Sequence, residues 1–503
     1  MRVFAHLVVG MLLAVITFVC AGCSTPKHDL KAYRDLLETT RKEHLDVELP
    51  TFSTEPLTLR QCYALALLRN ERLALQGERY VQALIARDRA WSSFLPSLSV
   101  GGSYRRQQSQ PGQTVQSPPV VTTQGQTTVN FSGPPLMFSG STTLTSTTTQ
   151  TEPVQQPPPP NEFKEGAWTG SWTLFNGFRN YFAVMANRLS AEQQRQALFD
   201  LERTVLLEVA SAFHQVLLAE DAVRIIRSAI AVQDESLREA RARVEVGVAR
   251  KLDVYQSEAQ GADFRVQLVN AELSVYTARQ LLSLLVDFPV GGPLVDDMLV
   301  PETIPTLEEL MREAAANRPD LVAAARAVES AEQSIRIAFG GFAPTVSLNA
   351  LDTFYRRPGP LGVRWSYTVD VLQPLFRGGR TLQDVRDAYS AFRQAELARQ
   401  LLERQVQHDV AVSRAELLAT GERIKQLEIR LAAAEEALRQ AKAQYRVGLA
   451  TNLDVLTAQN EQLSAELQLQ TERHRHRLQY LNVRRVVGHL PLPPNVEAPA
   501  SAH

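Results

Sequence analysis

Cysteine is almost missing from this 503-residue chain: only Cys20, Cys23 and Cys62 occur. Two of these stand in the first 23 residues, which leaves Cys62 alone in the body and excludes both a disulfide framework and a cysteine metal site. Charge of one sign is missing too. With 53 basic and 54 acidic residues the net charge is −1, so there is no electrostatic footprint for nucleic acid. The six methionines are unclustered and offer no soft-metal path. No Walker lysine accompanies the glycine pairs Gly101-Gly102 and Gly378-Gly379, which read as turns, and no nucleophile and base stand at a recognisable spacing. An enzyme, a cofactor and a metal are therefore not expected. His474 and His476 flank Arg475 on a helical stretch and must face different ways, which argues for a solvated face rather than a shared ligand site. The one apolar run, Leu7 to Val19, follows Arg2 and is too short for a comfortable membrane span, so residues 1–22 read as a secretory signal.

What the chain does have is a repeat. Leu237 to Val254 reads LREARARVEVGVARKLDV, and 201 positions later Leu438 to Val455 reads LRQAKAQYRVGLATNLDV. Each copy ends a heptad pattern at a glycine, Gly247 or Gly448, and restarts at a Leu-Asp-Val, so each is expected to be the tight tip of a helical hairpin. The same offset relates Phe175-Asn-Gly177-Phe-Arg179 to Phe376-Arg-Gly378-Gly-Arg380. Further upstream it grows to 248, where Phe94-Leu-Pro96 faces Phe342-Ala-Pro344. The difference is an insertion in the first copy, between residues 105 and 165, rich in Gln, Thr, Ser and Pro and unable to support a core.

After each proline the hydrophobic period changes to two. Leu98, Val100 and Tyr104 alternate with serines; Trp172 and Leu174 with Ser171 and Thr173; Val346 and Leu348 with Ser347 and Asn349; Val363, Trp365, Tyr367, Val369 and Val371 with Arg364, Ser366, Thr368 and Asp370. These four stretches, about 97–105, 166–175, 345–355 and 363–373, are expected to be strands with one apolar face. A soluble sandwich would show the same alternation. Four strands cannot close a barrel, however, and an open sheet edge is not tolerated in lipid, so strands in a membrane would need other copies of the chain to complete the wall.

Long helices supply the rest. Val205, Val209, Ala212, Val216, Ala219, Val223, Ile226, Ile230, Gln233, Leu237, Ala240 and Val244 step alternately by four and three, with a single polar interruption, and the register recurs from Val406 to Tyr445. A helix from Asn180 to Val246 would be roughly 100 Å long at about 1.5 Å per residue. The returning helices are expected from Leu252 to Val286 and from Leu453 to Val487.

The paired Val-Gly tips with Leu-Asp-Val, the proline before each first strand, the Phe-x-Gly-Gly-Arg after the last and the leader ending Ala21-Gly22-Cys23-Ser24 together resemble the TolC family of outer-membrane efflux proteins, in particular its lipoprotein branch of the OprM type. The resemblance covers residues 57–488. It implies a mainly α fold with a membrane β-barrel: a homotrimer with long coiled-coil helices in an α-helical barrel and four strands per chain in a twelve-stranded barrel. It implies an outer-membrane channel of a tripartite efflux or secretion system, passively carrying substrates received from a periplasmic adaptor and an inner-membrane transporter. Cys23 would carry a covalent lipid, with Cys20 where the lipoprotein pattern has leucine.

On this basis residues 1–22 are a signal peptide, 23–56 a lipidated tether with a short amphipathic helix around Tyr33 and Leu37, 57–288 the first repeat, 289–305 a linker, 306–488 the second repeat and 489–503 a tail. By resemblance the tips Val246-Gly247-Val248-Ala249 and Val447-Gly448-Leu449-Ala450-Thr451 meet the adaptor, and Asp253, Asp454 and Tyr445 close the periplasmic aperture. Some family members have arginine where this chain has Ala450; the first tip instead carries Arg250-Lys251, and Arg250 becomes the candidate aperture cation. Both aspartates also suit helix capping on the residues alone. A lipid-tethered coiled-coil scaffold or adhesin without a pore is the alternative reading.

Overall fold

The computed structural model describes residues 31–45, 47, 49–50, 54–106, 162–247, 249–296, 298, 300–301, 303–357 and 364–493. Cys23, Val248, Val363, most of the insertion and the end of the tail lie outside them. The chain divides into a helical unit and a strand unit.

The strand unit comprises residues 93–176 and 343–374. Strands β2 (Ser97–Arg106), β3 (Glu162–Phe175), β5 (Thr345–Arg357) and β6 (Trp365–Leu372) form one antiparallel sheet in the order β2-β3-β5-β6. All four expected strands are present. The central pair is longer than the apolar alternation indicates, because Lys164 and Glu165, placed in the insertion by composition, continue the ladder opposite Arg357 and Arg356. The Arg356–Glu165 ion pair at 2.8 Å supplies there what apolar side chains supply elsewhere. The Phe354 ring lies over Gly166, where a Cβ would meet it at 2.8 Å and displace it. Among the described residues no core lies beneath the apolar face. Trp365 and Val371 are 61% and 68% exposed, and Leu98, Val100, Tyr104 and Tyr367 are likewise exposed. Strands β2 and β6 are the two edges.

The helical unit begins with α1 (Ala32–His44), followed by β1 (Leu57–Thr58), α2 (Leu59–Arg69) and α3 (Glu71–Ser92). Helix α2 starts with a capping box in which Thr58 and Gln61 satisfy each other's orphan groups. The first long helix, α4, spans Arg179–Glu245 and returns as α5 (Lys251–Val286). The second repeat runs through α6 (Leu307–Asn317), α7 (Pro319–Phe339), α8 (Arg380–Arg446) and α9 (Asn452–Val486). Both long helices have 67 residues, about 100 Å at 1.5 Å per residue. No described helix is both long and apolar enough to cross a membrane.

Each long helix is packed in two halves. The first half of α4 lies on α3 and α7, with Gln76 bonded to Gln194 at 3.1 Å and Ser330 to the Ala186 carbonyl at 3.1 Å. Its second half lies on α5, with ion pairs Arg227–Glu272 and Arg241–Glu258 along the seam. The heptad positions Val205, Val209, Ala212 and Val216 are fully or almost fully buried in a core that also holds Leu206, Phe213 and Tyr63. Each large side chain of this kind contributes about 1.5–3 kcal/mol by leaving water. The polar interruption, Gln233, is 1% exposed and donates to the Ser257 carbonyl at 2.8 Å.

Three features differ from expectation. The tether helix α1 is docked: Tyr33 and Leu37 are buried, and Tyr33 lies so close to α3 that only glycine fits at position 77, where a Cβ would come within 2.3 Å of the ring. The linker contributes a further strand, β4 (Leu294–Val295), paired in parallel with β1, and the tail starts in the core, with Leu492 buried and Pro491 accepting from the Tyr63 hydroxyl at 2.7 Å. Two-residue strands and a proline-rich tail carry too little periodicity to be read from sequence. Finally, His474 is not solvated. It is 5% exposed and its Nε2 lies 3.1 Å from Asp221, whereas His476 turns to Thr420 on α8 at 2.8 Å. The two histidines do face apart, but helices pack against both sides of α9.

Candidate functional site: the hairpin tips

The two tips are built alike. Helix α4 ends at Glu245, where the Val246 and Gly247 amides donate to Ala242 and Val244; α8 ends at Arg446, where the Gly448 and Leu449 amides donate to Tyr445 and Gln444. Gly247 and Gly448 both have φ +80°. That left-handed turn lets each helix stop and the chain reverse within a few residues, and a side chain there would strain it. Around the glycines, Val246 (73%), Val447 and Leu449 (81%) are exposed apolar residues.

The aspartates of the two Leu-Asp-Val triplets both sit in the first turn of the returning helix, where the helix dipole favours them. Asp454 completes a capping box: it accepts from the Thr451 amide at 2.8 Å and hydroxyl at 2.7 Å, and its own amide donates to the Thr451 hydroxyl. The Thr451 hydroxyl and amide hold the Asp454 carboxyl below its usual range. Asp253 makes half of the same arrangement, accepting from the Arg250 amide and guanidinium, each at 3.3 Å. The surroundings then diverge. Asp454 is exposed, whereas Asp253 is 4% exposed. Beside Asp253 the second hairpin inserts Asn452, which donates to the Asp253 carbonyl at 3.1 Å and the Ser257 hydroxyl at 3.3 Å.

Tyr445 faces the last turn of α4. The Arg243 guanidinium stands 5.0 Å from its ring centroid and donates to the Tyr445 and Arg446 carbonyls at 3.2 Å each. Glu239 binds both arginines, Arg243 at 3.2 Å and Arg446 at 3.5 Å. Burial, with the negative charge of Asp253, raises the Tyr445 phenol above its ordinary value. A groove of about 380 Å³ runs beside this cluster, lined by Glu235, Glu239, Lys442, Tyr445, Arg446 and Asn452 among others. Burial lowers the Lys442 ammonium from its ordinary value.

The tertiary structure thus brings Asp253, Arg250 and Tyr445 toward one locus and leaves Asp454 on the surface. Sequence reasoning missed Arg243, Glu239 and Asn452. A signal was available, because all three fall where the repeats differ: their counterparts at the 201-residue offset are Gln444, Gln440 and Lys251.

A family model described as outer membrane efflux protein matches residues 145–286 and 310–489, more than half of the chain. The outer membrane efflux protein BepC of Brucella suis biovar 1 (strain 1330) is 27% identical over 309 residues, which covers 60% of this chain and 67% of that protein. The outer membrane protein TolC of Vibrio cholerae serotype O1 is 25% identical over 300 residues, 58% of this chain and 68% of that one. Among solved structures, the outer membrane protein VceC of Vibrio cholerae superposes with a TM-score of 0.67 at 20% identity, over 86% of this chain and 96% of its own.

Proposed function

The chain belongs to the outer membrane efflux protein family and is an efflux or secretion channel of the outer membrane; from this premise we propose that it forms the channel as a homotrimer, each copy supplying four strands to one twelve-stranded barrel. The observation that carries the reading is the sheet itself: an exposed apolar face between two unpaired edge strands. In hydrocarbon each unpaired backbone group costs several kcal/mol, so the edges β2 and β6 must meet those of neighbouring copies. The apolar face then lies against lipid, and the exposed serines and threonines of the other face, such as Ser97 and Ser99, line water.

The channel conducts passively and is served by a periplasmic adaptor and an inner-membrane transporter. The adaptor meets the two tips, Val246 to Ala249 and Val447 to Thr451, where the exposed Val246, Val447 and Leu449 suit apolar contact with a helical hairpin. The aperture is held by Asp253, Asp454, Tyr445 and Arg250. Because Arg250 pairs with Asp253 inside one chain, Asp454 is the carboxylate presented to other groups. A lipid on Cys23 anchors the N-terminus beside the barrel.

Purification in detergent followed by sedimentation and planar-bilayer recording tests this. A trimer that conducts ions is expected; a monomer soluble after removal of the leader, with no conductance, would reject the channel architecture in favour of a scaffold.

A further inference from the structure

Away from the tips, three side chains from three parts of the chain converge in the helical unit. His214 comes from α4 in the first repeat, Asp296 follows β4 in the linker, and His474 comes from α9 in the second repeat. One nitrogen of each imidazole and one Asp296 oxygen lie within 4.8 Å of one another. The two Nδ1 atoms are 3.5 Å apart, and His214 Nδ1 is 4.0 Å from Asp296 Oδ2. Both histidines are buried, His214 at 1% exposure.

We propose that His214, His474 and Asp296 bind one divalent transition-metal ion of the zinc class, which pins the linker between the repeats to a long helix of each. The geometry fits. Zinc–nitrogen bonds of about 2.0–2.1 Å in a tetrahedral site place two ligand nitrogens roughly 3.3 Å apart. The outer partners fit as well: His474 Nε2 lies 3.1 Å from the Asp221 carboxylate, which accepts a hydrogen bond from Nε2–H and so leaves the Nδ1 lone pair facing His214. That carboxylate–histidine pairing is the usual second layer of a metal site. His214 Nε2 has no hydrogen-bond partner among the described residues, so this buried ring has its polar contacts in the cluster alone. Arg477 donates to the same Asp296 oxygen and supplies positive charge there in the absence of an ion. It competes with the metal, and its removal should strengthen binding.

The test uses the full-length protein in detergent, stripped with a chelator and titrated with Co²⁺, whose visible spectrum reports tetrahedral nitrogen and oxygen ligation. One Co²⁺ per chain is expected, with uptake lost in His474→Gln, weakened about 10- to 100-fold in Asp221→Asn and strengthened in Arg477→Gln. Helical content is checked by circular dichroism. If His474→Gln does not fold, Asp221→Asn, which leaves every ligand in place, decides. No stoichiometric uptake, or uptake indifferent to Asp221→Asn, would overturn the assignment.

Discussion

The guanidinium of Arg243 stacks 5.0 Å from the ring of Tyr445 while donating to that residue's own carbonyl at 3.2 Å. One side chain from the end of α4 therefore holds both the ring and the backbone of the last turn of α8, next to the tip that the adaptor would meet.

Replacing Arg243 with alanine removes the cation–π contact and two hydrogen bonds to carbonyls at once. About 1–2 kcal/mol of local stability should be lost. Single-channel conductance in planar bilayers should rise, because the α8 tip is no longer tied to α4. An unchanged conductance would show that the contact is structural only.

Asp253 and Asp454 should behave differently despite their identical triplets. Asp253→Ala removes a buried carboxylate that accepts from the Arg250 amide and guanidinium and caps the first turn of α5, and its thermal unfolding should shift down clearly. Asp454→Ala removes a surface cap and should shift unfolding less. The double variant should conduct more than wild type, and equal conductance would speak against an aperture role for the pair.

Glu202 gives a pH dependence of defined sign. It is buried, and desolvation pushes its carboxyl up to about 7 against opposing effects of Arg203 and the Thr40 hydroxyl. In the unfolded chain it titrates at its ordinary 4.5, so between those two values the folded state binds the extra proton. Stability is therefore full below pH 4.5, falls as pH rises toward 7 and levels off above it, by on the order of 3 kcal/mol from this group. Melting of Glu202→Gln followed over the same pH range should lack that component; an unaltered slope would assign it elsewhere.

Charging the tips should separate conduction from coupling. Val246→Asp with Leu449→Asp places carboxylates on residues that are exposed already, so folding and bilayer conductance should stay as in wild type. Cross-linking to the adaptor in cells, from a cysteine placed at Ala249, should drop sharply. Undiminished cross-linking would move the adaptor contact away from the tips.

Most of the architecture was legible because it rests on periodicity. The heptads of α4 and α8, the alternation of Trp365 to Val371 and the glycine stops at 247 and 448 each state a backbone geometry in a few consecutive residues. The extension of β3 through Lys164 and Glu165 was hidden, because a partner strand nearly two hundred residues away stabilises it. The docking of α1 on Gly77 and the burial of His474 were hidden for the same reason.

What the sequence determined by itself is the set of local conformations, their duplication and the apolar faces left to be covered, since these depend on neighbours three, four or two residues apart. Only the tertiary structure decided that Asp253 is buried and Asp454 exposed, that Arg243 holds Tyr445, and that His214, Asp296 and His474 meet. Those outcomes depend on which side chain of one repeat falls opposite which of the other; even the matched pair Asp253 and Asp454 has unmatched neighbours, Lys251 standing where the second copy has Asn452.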